Sequence, residues 1–115
     1  MSPPGRSAAG TQRHDQARLF AALGDRTRLA LVSKLCGGQP RSISQLAQDS
    51  ALNRQAITKH LRVLESAGIV HSTRSGRESR FELDPQPLEN LREYLERVSA
   101  QWDWALLRLK TLVER

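Results

Sequence analysis

The hydrophobic period of this 115-residue chain changes abruptly at Gly68, and few folds accommodate such a change. Up to that residue the apolar side chains recur at helical spacing. After Asn53, a good N-cap, Ile57, Leu61 and Leu64 fall within one narrow arc of a helical wheel, and Gly68 is a natural stop about four turns on. Beyond it the period is two. Ile69-Val70-His71-Ser72-Thr73-Arg74 and Glu78-Ser79-Arg80-Phe81-Glu82-Leu83 read as short strands joined by a tight turn at Ser75-Gly76. A helix that runs straight into a hairpin needs other helices to cover its apolar arc.

Those helices are legible upstream. Leu19, Phe20 and Leu23 open a helical pattern that Gly24 ends, and Asp25 is placed to cap a second helix and to put a carboxylate at its positive end. Leu29, Val32 and Leu35 or Cys36 supply that helix with an apolar stripe, and Gly37, Gly38 and Pro40 terminate it. Ser42 and Gln45 have capping-box spacing and predict a short third helix carrying Ile43, Leu46 and Ala47. Residues 1–13 lack periodicity and have no apolar core of the secretory type, so they read as a mobile tail of a cytoplasmic protein. No apolar run approaches the roughly 20 residues that span a bilayer.

The charge divides along the chain. The net charge is +6, but residues 1–83 hold thirteen basic against six acidic side chains, a net +7, whereas residues 84–115 hold five against six, a net −1. A polyanionic partner is expected for the first part only. In that part Gln55, Thr58, Lys59 and Arg62, at i, i+3, i+4 and i+7, form a polar stripe across the helix from its apolar arc, and Arg74, Arg77 and Arg80 lie near the hairpin tip.

The last segment differs. Pro85 and Pro87 break the strand, and Pro87 is placed to begin a helix in which Leu88, Leu91, Leu95, Val98, Trp102, Ala105, Leu109 and Leu112 recur at alternating three and four. A helix from Pro87 to Val113 would be about 39 Å long. A domain of this size cannot cover such a seam alone, so a homodimer is expected, with Trp102 in the interface. Trp104 lies off the seam and is expected against the hairpin domain or the partner's first helix. The alternative for both tryptophans is the lining of a small-molecule pocket.

A short helix, a turn, a longer helix with a polar outer face and a basic hairpin make a winged helix-turn-helix, mainly α with a small β-hairpin wing and a long C-terminal dimerisation helix. The major groove admits one helix, and an arginine-tipped hairpin can lie on phosphates or in the adjacent minor groove of double-stranded DNA. Gln55 suits an adenine edge, Arg54 or Arg62 a guanine edge, Thr58 a methyl group or phosphate, and Lys59 and the wing arginines phosphates. Ser42, Ser44 and His60 are assigned phosphate or structural roles; for His60, at the edge of the apolar arc, a hydrogen-bonded, half-buried position is favoured. His14 and His71 read as isolated surface residues. Cys36, the only cysteine, rules out an intrachain disulfide and reads as a buried inert thiol.

Two segments carry a family resemblance: Leu19-Phe20-Ala21-Ala22-Leu23-Gly24-Asp25-Arg26-Thr27-Arg28-Leu29, and Gln55 through Val70 with its Ile57-Thr58-Lys59-His60-Leu61 core. Together they resemble the ArsR/SmtB family of dimeric winged-helix repressors from about Arg18 to Leu83. The resemblance implies that the first and last helices form the dimer interface, including Leu19, Leu88, Leu91, Leu95, Val98, Trp102, Leu109 and Leu112. It also implies that the helix spanning Leu52 to Ala67 enters the major groove and that the hairpin is the wing; two such helices related by a two-fold axis predict an inverted-repeat operator.

The resemblance fails where relatives bind metal. Their Cys-x-Cys pair at the third helix corresponds to Ser42 and Ser44, and hydroxyls are poor soft-metal ligands. At the start of the last helix Asp84 matches a family ligand, but Gln86 stands in the histidine place and no histidine follows His71. No metal and no cofactor is therefore expected, and the inducer is left unnamed. A metal or redox sensor using Cys36 and histidines across the dimer, and a winged-helix protein-interaction module, are the alternatives. No paired carboxylates, activated nucleophile or phosphate loop points to an enzyme.

Overall fold

A computed structural model describes residues 8–114, with side chains from residue 16 onward. The chain runs α1 (Ala8–Leu23), α2 (Arg26–Leu35), β1 (Arg41–Ser42), α3 (Ile43–Ala47), α4 (Arg54–Ser66), β2 (Val70–Ser75), β3 (Glu78–Leu83) and α5 (Pro85–Val113). Helix α1 begins inside the segment read as an aperiodic tail. Residues 1–7 and the side chains of Arg13 and His14 lie outside the described residues.

The start signals act as the sequence indicates. The Asp25 carboxylate accepts the Arg28 N–H at 3.0 Å, and Asn53 accepts the Ala56 N–H at 2.8 Å. Ser42 and Gln45 close a reciprocal capping box, Ser42 N–H donating at 2.8 Å and Gln45 N–H at 3.2 Å. Each side chain satisfies a donor that the first helical turn leaves without a partner. The capping residue Ser42 must be extended, and that conformation lets Arg41 and Ser42 pair with Phe81 and Arg80 as a third strand. The sheet is antiparallel in the order β1-β3-β2. Two residues are too few for a period, so this strand left no sequence signal.

The hairpin is one residue tighter than the sequence reading. Ser75 pairs with Glu78, leaving Gly76-Arg77 as the turn, with Gly76 at φ 64°. That left-handed conformation at the first loop position suits the two-residue turns that match strand twist.

Leu31, Leu35, Leu46, Ile57, Leu61, Leu64, Ile69, Val70 and Phe81 form the fully buried centre. Two expectations about α2 are corrected. Leu29 is half exposed, and Cys36 is exposed rather than buried, because Leu31, Val32 and Leu35 take the inward arc and Cys36 lies about 100° beyond Leu35.

Helix α5 starts two residues earlier than expected. Asp84 caps it by accepting the Gln86 N–H at 3.0 Å, with Pro85 in the first turn, where no N–H is needed. Its first turns belong to the domain. Leu91 is buried with Leu19 in the core, Leu88 packs on that core, and Tyr94 meets Phe20 edge to face at 6.0 Å. Leu19 and Leu91 are thus already covered within one protomer. From Ser99 to Glu114 every residue is exposed, including Trp102, Trp104, Leu109 and Leu112. Trp104 does not pack on the wing domain of its own chain. The distal half of α5 projects, and the radius of gyration is 18.8 Å against about 13 Å for a compact chain of this length. No helix among the described residues is long and apolar enough to cross a membrane.

Candidate nucleic-acid interface

The α4 stripe is built by the same geometry that buries its other side. With Ile57, Leu61 and Leu64 committed to the core, Arg54, Gln55, Lys59 and Arg62 are exposed and Thr58 is half-buried. Arg54, Gln55, Thr58 and Lys59 border an open concavity of about 370 Å³ whose far wall is Ile43 at the start of α3. The structure therefore gathers four of the expected DNA-reading residues at the mouth between the two helices. Thr58 donates its hydroxyl to the Arg54 carbonyl at 2.7 Å, leaving its oxygen lone pairs and methyl group for a partner.

Arg62 is held differently from the other stripe residues. It donates to Glu65 at 2.7 Å, and its guanidinium stands 5.8 Å from the centre of the Phe81 ring. Glu65 also accepts the Ser72 hydroxyl, at 2.6 Å, so one carboxylate bridges α4 to the wing. The Ser72 hydroxyl and then Arg62 hold this carboxyl below its usual pKa.

The strand register separates the wing arginines. Residues directly opposite in an antiparallel pair share a face. Arg74 opposes Ser79 and lies on the face of Ser72 and Phe81, whereas Arg80 opposes Thr73 on the other face and sits 3.8 Å from Glu78. Arg77 occupies the turn. All three are exposed. The sequence shows three arginines near a tip; only the register shows that they address two sides.

Ser42 is buried and its side chain is committed to the capping box, which favours its structural role, while Ser44 is exposed on α3. His60 is half-buried. Its Nδ1 lies 3.2 Å from an Arg28 terminal nitrogen and 3.7 Å from the Asp25 carboxylate. The same Arg28 donates to the Ala22 and Ala21 carbonyls at the end of α1. The two segments that carry the family resemblance meet at this point. The Arg28 backbone N–H holds the Asp25 carboxyl below its ordinary pKa.

His71 is not isolated. Its Nε2 lies 2.8 Å from Asp84 and ties β2 to the cap of α5; this hydrogen bond is the main cause of the lowered Asp84 pKa. No spacing rule links residues thirteen apart, so the sequence reading missed the pair. Among the described residues no three His, Cys, Asp or Glu side chains stand close enough to hold a metal ion.

Comparison with known proteins agrees with this geometry. A helix-turn-helix domain family matches residues 23–73. The HTH-type transcriptional regulator Rv2034 of Mycobacterium tuberculosis is 36% identical over 97 residues, covering 84% of this chain and 87% of the relative. An ArsR-like transcriptional regulator from Rhodococcus sp. RHA1 superposes with a TM-score of 0.76 at 36% identity, covering 89% of this chain and 95% of the other. The chain belongs to the ArsR family of transcriptional regulators. In this ArsR-family chain α3 and α4 are the helix-turn-helix and β2 and β3 the wing. ArsR-family chains such as this regulate transcription and are not enzymes. A further similar structure is the homodimeric winged helix-turn-helix DNA-binding domain Mb0332 of Mycobacterium bovis, with a TM-score of 0.61 and 25% identity over 90% of this chain and 94% of that one.

Proposed function

We propose that this regulator is a homodimeric repressor that occupies an inverted-repeat operator and blocks promoter access, without a metal cofactor. In this reading α4 enters the major groove, Gln55 and Arg54 or Arg62 address base edges, and Lys59 with Arg74, Arg77 and Arg80 addresses phosphates. Leu95, Val98, Trp102, Leu109 and Leu112 form the surface that a second copy covers. The carrying observation is the division of the molecule: a basic, exposed reading surface on the compact domain, and an apolar α5 half that nothing in one chain covers. The homodimeric Mycobacterium bovis domain supports the pairing.

Selection of bound duplexes from fragmented genomic DNA of the source organism, with the mass of the free protein measured in parallel, tests the reading. A two-fold symmetric motif and a mass of two chains are expected. Absence of an enriched motif, or a one-chain mass at micromolar concentration, would reject it.

A further inference from the structure

Arg28 and His60 form a side-chain link between α2 and the middle of α4, and its chemistry constrains the imidazole. A guanidinium can only donate hydrogen bonds, so the His60 Nδ1 at 3.2 Å must accept, and the neutral ring carries its proton on Nε2. The Asp25 carboxylate, 3.7 Å from Nδ1, is beyond hydrogen-bond distance and already accepts the Arg28 N–H. Arg28 is itself fixed, because it donates to the Ala21 and Ala22 carbonyls where α1 ends.

The other ring nitrogen is free to act. Among the described residues Nε2 has no hydrogen-bond partner, and no buried side-chain nitrogen or oxygen there is left without one, so Nε2 reaches solvent. Its place on the helix matters. A helix in the major groove runs between two sugar-phosphate walls. One flank of α4 is taken by the wing through Glu65 and Ser72. His60 lies on the opposite flank with Ala56 and Val63, about 100° from Lys59 on the stripe.

From this geometry we infer that Arg28 is a positioning residue for DNA binding that acts through His60, fixing the tautomer whose Nε2–H donates to a DNA backbone phosphate. The inference rests on the DNA-reading role proposed above for α4. Arg28 would not touch DNA. It ties the end of α1 to the reading helix, so a displacement at α1 would reach one phosphate contact in each half-site.

The test uses the full chain and a duplex selected by the wild-type protein. A two-bond proton–nitrogen NMR spectrum of the free protein reads the tautomer, and phosphate ethylation interference reads the contact. In the wild type the proton is expected on Nε2, and ethylation of one phosphate per half-site should block binding through His60. His60→Asn keeps an acceptor where Nδ1 stands and has no donor at Nε2. It should fold normally, bind about tenfold more weakly and show no interference at that phosphate. His60→Gln, whose amide nitrogen reaches toward the Nε2 position, should restore the interference. Arg28→Met, which offers Nδ1 no donor, should let both tautomers form and weaken the interference at the same phosphate. A proton on Nδ1 in the wild type, or an unchanged ethylation pattern in a folded His60→Asn protein, would overturn the inference. A wild-type chain that selects no duplex would instead remove the DNA-reading role on which it rests.

Discussion

The Ser72 hydroxyl on the wing donates to one oxygen of Glu65 on α4 at 2.6 Å, while Arg62 donates to the other at 2.7 Å. The carboxylate therefore ties α4 to the hairpin and restrains an arginine on the polar stripe of α4. Glu65→Ala should lower the unfolding free energy by about 0.5–1 kcal/mol, since these bonds are partly exposed. Releasing Arg62 should also alter sequence preference. A urea midpoint and a selected motif both identical to wild type would contradict this role.

Acid should weaken the fold through the carboxyls that cap its helices or tie its elements together. Glu65 is held low by Ser72 and Arg62, Asp84 by His71, and Asp25 by the Arg28 N–H. A carboxyl whose folded pKa lies below its unfolded value, about 4, contributes stability above that value and loses it as pH falls through the folded pKa. The thermal midpoint should therefore drop below about pH 4, and less steeply in Asp84→Asn. The same acid dependence in that variant as in wild type would show that Asp84 has no part in it.

Lys59 and Arg77 should act on affinity rather than on sequence choice. Lys59→Ala or Arg77→Ala is expected to weaken binding to every duplex and to reduce the slope of log affinity against log salt by about one for each phosphate no longer touched. Both side chains are exposed, so the stability should stay within about 0.5 kcal/mol of wild type by thermal melting. Unchanged salt slopes would place the phosphates elsewhere.

The distal half of α5 gives a separate test. Leu109 is 57% exposed in one protomer, so a charge there costs the monomer little and a dimer much. Leu109→Asp should fall from two chains to one, of 12.9 kDa, in sedimentation equilibrium without loss of the helical spectrum of the domain. A wild-type mass in this variant would put the interface on another surface.

Local chemistry was the readable part of this chain. Asp25, Ser42 with Gln45, and Asn53 each satisfy an N–H within three residues, so their helix starts are visible in the sequence, as is the change to strand spacing after Gly68. Choices among neighbouring apolar residues were less visible. Whether Leu35 or Cys36 faces inward, and whether Leu91 serves the core or a partner, depends on which neighbour covers them. Pairs distant in sequence left no signal at all. Arg28 with His60, His71 with Asp84, and Ser72 with Glu65 are brought together only by the packed fold, and they tie α2 to α4, β2 to the cap of α5, and α4 to the wing.

In the proposed complex two copies of α4 read DNA as a symmetric pair. Hydroxyl-radical footprinting of the wild-type chain on its selected duplex tests this pairing. Two equivalent protected patches related by a two-fold axis are expected, centred about 10 bp or a multiple of that apart, and both should vanish together in Gln55→Ala, Lys59→Ala protein. A single asymmetric patch, or protection that survives that double substitution, would contradict it.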